Sequence, residues 1–139
     1  MNPLYYALPV AVGVCGVLQA GLNRRIAEEW GLAWVVMWNT LIVLVLTAIV
    51  IGLGLFPGKI NFSTMKWWHM LPGLFGFVIV LCIPVSISKI GALNSFLVLI
   101  SVQILVSGAW DKIVEGAELS WTRVLGASLA LAGAWLATK

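Results

Sequence analysis

Charged side chains are scarce in this sequence. Asp, Glu, Lys and Arg make up 9% of the 139 residues, whereas hydrophobic residues make up 62%. Soluble domains carry about a quarter charged residues, so this composition excludes an ordinary water-soluble domain. It indicates a polytopic membrane protein whose main surroundings are the lipid bilayer.

Residues that hold metals or perform covalent chemistry are also few. The chain has two cysteines and one histidine, and no cluster with the spacing of metal ligands. Cys15 and Cys82 lie within apolar runs, which predicts buried free thiols. No nucleophile–base pair is present, so we predict no metal, no cofactor and no enzymatic activity. The basic residues stand singly at helix ends, a distribution that argues against a nucleic-acid partner.

Five long apolar runs occupy most of the chain. Each is about long enough to cross a hydrocarbon core of about 30 Å. They predict an all-α membrane protein with a single domain over residues 1–139 and five transmembrane helices. The predicted helices cover residues 4–22, 31–56, 67–88, 90–110 and 119–138.

The first run carries small and amide residues on one helical face. Gly13, Gly16, Ala20 and Asn23 share this face, and Gln19 lies at its edge. An amide that faced lipid would lose its hydrogen bonds, at a cost of several kcal/mol. The face must therefore turn toward protein or a water-filled cavity. Close helix packing and the lining of a pathway are equally good interpretations.

Other amides, hydroxyls and tryptophans lie deep within later runs. The fourth run has polar groups on two sides, which places it centrally in the bundle. The interpretation as helix packing competes with that of a substrate site, particularly for the two deeper tryptophans. The residues predicted to line a substrate pathway are Gln19, Asn23, Trp34, Trp38, Asn39, Asn94, Ser101, Gln103 and Ser107.

The fifth run has a ridge of small residues. Ser120 is a plausible N-cap for this helix. Small residues at helical spacing let two helices approach closely. We predict a subunit interface here, although contact within the same chain is an equal alternative. The interface residues are Gly126, Ala130, Gly133 and Ala134.

The basic residues are balanced between the two sides of the membrane. Five crossings put Lys59, Lys66, Lys112 and Arg123 on one side, and Arg24, Arg25, Lys89 and Lys139 on the other. A protein of fixed orientation usually shows a bias, with more Lys and Arg on the cytoplasmic side. The balance suggests insertion in both orientations, and two opposed copies would form an inverted repeat. A fixed orientation imposed by a partner chain is the alternative.

Several motifs resemble the YdcZ-like, five-helix branch of the drug/metabolite transporter superfamily. Their order and spacing cover nearly the whole chain, with Val102 as a departure where the family pattern has Gly. The motifs are Gly16-x-x-Gln19-x-x-x-Asn23, Trp67-Trp68 before Gly73-x-x-Gly76, Lys89-Ile90-Gly91-Ala92, Gln103-x-x-x-Ser107-x-x-x-Asp111, and Arg123-Val124-Leu125-Gly126 leading to Gly133.

The resemblance implies half of an inverted-repeat transporter in a bacterial-type inner (cytoplasmic) membrane. Such a unit would work as an antiparallel dimer, with a second copy or an oppositely oriented paralogue, and would export a small or amphipathic solute by alternating access. No acidic residue lies deep in any run, which disfavours proton coupling through a buried carboxylate. The alternative is a non-transporting membrane subunit that docks on another membrane protein.

Overall fold

All regular secondary structure in the part of the chain that the structure describes is helical. A computed structural model describes residues 4–56, 58, 62–118 and 120–137. The all-α prediction is confirmed for these residues, and the predicted ends of the fifth helix at 119 and 138 lie outside them. The α-helices are α1 (Leu4–Trp30), α2 (Leu32–Gly52), α3 (Leu71–Ile90), α4 (Ala92–Ile113) and α5 (Trp121–Ala137), and short 3-10 turns occupy Phe62–Thr64 and Trp67–Met70.

Four helical segments are long and apolar enough to cross a membrane. They are Tyr5–Trp30, Leu32–Gly52, Trp67–Ile90 and Ala92–Ile113. Helix α5 has 17 residues and a length of about 26 Å at 1.5 Å per residue, close to the lower limit for a span. The fifth crossing therefore stays a prediction. The predicted N-cap is present, since the backbone N–H of Arg123 donates to Ser120 Oγ at 3.4 Å.

Helix α1 continues well past the end of its apolar run. The run ends at Leu22, but the helix includes Arg24 and Arg25 and ends at Trp30. Arg, Ala and Glu are good helix formers, so the loss of hydrophobicity does not end the helix. An ion pair between Arg24 and Glu28, with N···O 3.3 Å, spans one turn of this extension. Hydropathy alone therefore located the predicted membrane span but not the helix end.

A single glycine makes each of two sharp connections. Gly31 joins α1 to α2 with φ 81° and ψ 147°, and Gly91 joins α3 to α4 with φ 81° and ψ 162°. The two corners also share their hydrogen bonds. The N–H of Gly31 donates to the carbonyl of Ala27, and its own carbonyl accepts from Val35; Gly91 does the same with Ile87 and Ser95. Both corners thus turn the chain while the glycine's own N–H and carbonyl stay bonded.

The chain divides into two compact units, Met1–Val85 and Ser86–Lys139. Helix α1 packs against α2 in the first unit, and α4 packs against α5 in the second. The boundary lies within α3, one residue after Pro84. Proline lacks the N–H that would bond four residues back, so the helix has one fewer internal bond at this point. The single domain over residues 1–139 stays a prediction.

The glycine corners lead to a stability prediction. A side chain is disfavoured at the backbone angles of Gly31 and Gly91, even though no atom lies within 4 Å of a Cβ built there. Gly31→Ala and Gly91→Ala should each lower the free energy of unfolding by about 1–3 kcal/mol. Denaturant titration of the purified protein in detergent would measure this loss.

The control is Gly21→Ala, at a helical glycine with ordinary φ and equal open space. Alanine is the better helix former, so this variant should be neutral or slightly stabilised. Equal stability of all three variants would contradict the assignment of strain to the corners.

Candidate functional site

The small and amide face of α1 packs against α2 beside the Gly31 corner. Ala20 and Asn23 are buried in α1, and Val35 and Val36 are buried in α2. Asn39 is half-buried one turn further along the same side of α2. Gly16 is half-buried and Gly13 is exposed, so the packing covers the half of the face nearest the corner. Gln19, at its edge, is exposed.

Asn23 is the most buried amide of the predicted pathway. It is 8% exposed, and its carboxamide makes no hydrogen bond to any described residue. Among the described side chains, no polar atom is both fully buried and without a partner. The amide atoms of Asn23 are therefore accessible at the surface of the chain. This amide can accept or donate a hydrogen bond to a group that comes from beyond α1 and α2.

An aromatic groove of about 330 Å³ lies on another side of α2. Trp30, Trp34, Met37 and Trp38 line it. Trp34 is 62% exposed and Trp38 is 51% exposed, so their ring faces are open. Such faces bind apolar groups, and they also attract cations. Trp34 and Trp38 were predicted from the sequence as pathway residues, whereas Trp30 and Met37 were not. Met37 follows Trp34 by three residues, so helical spacing would have indicated it.

The predicted pathway residues of α2 do not share one face. Trp34 and Trp38 are one turn apart and line the groove, whereas Asn39 follows Val35 by one turn on the packed side. Successive helix residues are separated by about 100°. The tryptophans and Asn39 thus serve two different surfaces of the helix pair.

In α4, the predicted polar residues divide into two groups. Asn94 Nδ2 donates to the carbonyl of Ile90 at 3.1 Å, and Ser101 Oγ donates to that of Leu97 at 2.7 Å. Both are half-buried. Gln103 and Ser107 are exposed and have no hydrogen bond to any described residue. Asn94 thus bonds across the corner to the last residue of α3 and Ser101 bonds within α4, while Gln103 and Ser107 need partners from elsewhere.

Two serines that the sequence analysis did not select form a buried bond at the second corner. Ser95 is 8% exposed and donates to the carbonyl of Gly91 at 2.7 Å. Its oxygen lies 2.9 Å from that of Ser86. Since the only hydroxyl proton of Ser95 is used, Ser86 is the donor to it. This bond ties the end of α3 to the start of α4 and is structural.

A second groove, of about 510 Å³, runs between α4 and α5. It is mostly apolar along its length and charged at one end. Its lining residues are Ile104, Leu105, Gly108, Ala109, Asp111, Lys112, Ile113, Arg123, Val124, Ala127, Ser128 and Leu131.

The predicted interface ridge of α5 is mostly uncovered. Gly126, Ala130 and Gly133 are exposed, and Ala134 is half-buried. No atom lies within 4 Å of a Cβ built on Gly126 or Gly133. The intrachain alternative is therefore not realised at these two glycines among the described residues.

Within the described residues 4–56, 58, 62–118 and 120–137, no group of three His, Cys, Asp or Glu side chains could hold a metal. Cys15 and Cys82 are free thiols, as predicted, but they are exposed on the surface of the chain. The prediction of burial was wrong because an apolar side chain of a membrane protein can face outward at no cost.

The family comparison agrees with the membrane character of the helices. A family model described as "Putative inner membrane exporter, YdcZ" matches residues 4–136. The chain belongs to this family. The resemblance noted in the sequence is confirmed, and this YdcZ-family chain is a multi-pass protein of the inner membrane. An exporter family is not a class of enzyme. No curated protein and no solved structure is significantly similar to the chain.

The open amide of Gln103 leads to a transport prediction. Gln103→Leu removes no hydrogen bond within the described chain, so thermal stability in detergent should be unchanged. If this amide contacts the solute, the variant should lose about 5- to 150-fold in export from proteoliposomes, since a bond lost from a buried polar site costs about 1–3 kcal/mol.

The matched control is Val102→Leu, at the neighbouring exposed position. It should retain wild-type export. Loss of assembly in Gln103→Leu, with Val102→Leu intact, would show that Gln103 serves helix packing instead.

Proposed function

We propose that this YdcZ-family chain exports a small or amphipathic solute as an antiparallel dimer with alternating access. The observation that carries the proposal is the presence of open amides on helices apolar enough to lie within the bilayer. Gln19 and Gln103 are exposed and make no hydrogen bond to described residues. Amides left in lipid would cost several kcal/mol, so another protein surface or a hydrated pathway must cover them.

A second copy in the opposite orientation meets this requirement. Inverted repeats place their solute site near the bilayer midplane, where the two repeats meet. In this arrangement the open amides would find partners in the second copy or in a hydrated pathway. The carboxamide of Asn23, which makes no hydrogen bond to a described residue, would have its hydrogen-bonding capacity available to such a partner.

The pathway residues in this proposal are those predicted from the sequence. Asn94 already bonds to the last carbonyl of α3 and Ser101 bonds to its own helix, so their contribution would be a polar surface more than a strong contact. The unmet hydrogen-bonding capacity lies with Gln19, Asn23, Gln103 and Ser107, whose side chains make no hydrogen bond to a described residue. The tryptophans of the aromatic groove would bind the apolar or cationic part of a solute.

The charge balance supports insertion in both orientations, but it depends on α5. With five crossings, each side has four basic residues. With four crossings, Lys139 would move to the other side and the count would be five to three. Lys59 and Lys139 lie outside the described residues. The orientation experiment must therefore test α5 as well.

The open ridge of α5 also favours a second function, a non-transporting subunit docked on another membrane protein. Both functions need a partner surface against Gly126, Ala130 and Gly133. They differ in transport activity. A docking subunit exports no solute, so Gln103→Leu would have no export activity to lower.

The orientation prediction uses one accessible cysteine. In a chain with Cys15→Ala and Cys82→Ala, Lys139→Cys should be labelled in two comparable populations, one from each side of the membrane. Both native thiols are exposed and would otherwise react. Labelling from one side only would refute dual orientation and direct the search to an oppositely oriented partner chain.

A charge variant tests the fifth crossing in the same background. The double variant Glu28→Lys/Glu29→Lys adds positive charge beside Arg25. It should fix the C-terminal end of α1 on the cytoplasmic side. Cysteines at Glu118 and Lys139, in separate chains, should then be labelled from opposite sides. Labelling from the same side would show that α5 does not cross.

The interface prediction concerns the ridge of α5. Gly126→Ile should convert the dimer to a monomer, because the added side chain would keep the two helices apart. No atom lies within 4 Å of a Cβ built on Gly126, so the first atom of the added side chain meets no clash within the described chain. Size-exclusion chromatography with light scattering would measure the oligomer. Ala132→Ile, an exposed position of α5 off the ridge, should remain dimeric; an unchanged Gly126→Ile dimer would rule out this interface.

A further inference from the structure

The groove between α4 and α5 has the layout of a lipid site. Three charged residues, Asp111, Lys112 and Arg123, lie toward one end, and aliphatic residues line the part that extends into the helix pair. Gly108, Ala109 and Ala127 are small, so their side chains leave the space between the helices open. The groove lies within the unit Ser86–Lys139.

The charged end lies at the level of the membrane boundary. Helix α4 is long and apolar enough to cross a membrane and ends at Ile113, which puts its last turn at the interface; α5 begins at Trp121 at the same end of the groove. Trp110 and Trp121 are exposed at this end, where tryptophan is enriched in membrane proteins. Trp110 Nε1 donates to Glu115 Oε1 at 3.2 Å, which occupies one oxygen of that carboxylate. The headgroups of surrounding lipids are therefore at the height of Asp111, Lys112 and Arg123.

The charged groups are free to bind a ligand. Asp111 forms no ion pair within 4 Å with Lys112 or Arg123, and none of the three side chains bonds to another described side chain. Two cations suit a phosphate diester, and one carboxylate suits an ammonium group. Basic pockets between membrane helices bind phospholipid headgroups. Two cations and one carboxylate together match a headgroup that contains a phosphate and a primary ammonium.

The apolar part of the groove suits one acyl chain. From Asp111 to Ile104 the groove follows α4 for about 10 Å, less than the thickness of one leaflet, which is about 15 Å. Ser128, the polar residue in this stretch, donates to the carbonyl of Val124 at 2.9 Å and so presents no free donor. An acyl chain would therefore meet a surface without unmet polar groups.

We propose that the α4–α5 groove binds one phosphatidylethanolamine molecule, with its phosphate at Lys112 and Arg123, its ammonium at Asp111, and an acyl chain along Ile104, Val124 and Leu131. A helix from a second copy is a poorer occupant, because the small apolar ridge of α5 offers no charge to the three groups at the mouth. The proposal is separate from the choice of exported solute and does not depend on transport.

Native mass spectrometry of the purified full-length protein tests the proposal. Phosphatidylethanolamine, phosphatidylcholine and phosphatidylglycerol with identical acyl chains are titrated separately. The first should bind several-fold tighter than the other two, since the quaternary ammonium of phosphatidylcholine donates no N–H bond and phosphatidylglycerol has no cation for Asp111. Equal binding of all three lipids would overturn the assignment of the headgroup.

Charge variants separate the two halves of the headgroup site. Arg123→Gln should weaken phosphatidylethanolamine binding about ten-fold, the effect of one lost charge-assisted bond. Asp111→Asn should remove the preference over phosphatidylglycerol while phosphate binding remains. The control is Lys89→Gln, at an exposed cation in the last turn of α3 that does not line the groove. An equal loss in Lys89→Gln would overturn a specific site.

A filling variant tests the acyl-chain half without any change of charge. Ala127→Phe should occupy the groove and reduce binding of all three lipids, whereas Ala132→Phe, outside the groove on the same helix, should not. If Arg123→Gln fails to fold, the comparison of Ala127→Phe with Ala132→Phe still tests whether the groove binds lipid. Unchanged lipid binding in Ala127→Phe would overturn the proposal, as would a disulfide between copies through Ala127→Cys in lipid-saturated protein.

Discussion

The absence of water from the hydrocarbon core is the constraint on which this structure depends. Every backbone N–H and carbonyl in that region must find its partner within the protein, which favours helices. The Gly31 and Gly91 corners satisfy the same demand, because each glycine donates to a carbonyl four residues back and accepts from an N–H four residues on. The chain thus turns sharply twice while both glycines keep their backbone bonds.

The same constraint divides the polar side chains by what they can do. Thr40 and Ser101 bond to carbonyls of their own helices, Asn94 bonds to the carbonyl of Ile90 at the end of α3, and Ser86 bonds to Ser95. These groups are compatible with an apolar environment. Gln19 and Gln103 have no such bond among the described residues, so they create a need for a partner surface or a hydrated space. The transport proposal rests on this difference. Amides without partners in the bilayer cost free energy, which only a partner surface or a hydrated space offsets.

Some features could be predicted from the sequence because they depend on local properties. Hydropathy located the helices, and the predicted runs that begin at residues 31 and 90 start within one residue of the two glycine corners. The end of α1 was predicted poorly because a helix can continue through Arg24 and Arg25 after its apolar residues are exhausted. The exposure of Cys15 and Cys82 was also missed, since hydrophobicity does not tell lipid-facing positions from packed ones.

The sequence by itself determined the membrane class, the helical fold and the family, because all of these follow from residue type and short-range spacing. The tertiary structure alone decided which groups share a surface. It put Asn23 and Asn39 on the packed side of the first helix pair and Trp34 on another side, and it brought Arg123 into one groove with Asp111 and Lys112. These outcomes depend on which faces of two helices meet, and that is set by packing between residues distant in the chain, which spacing along one helix does not record.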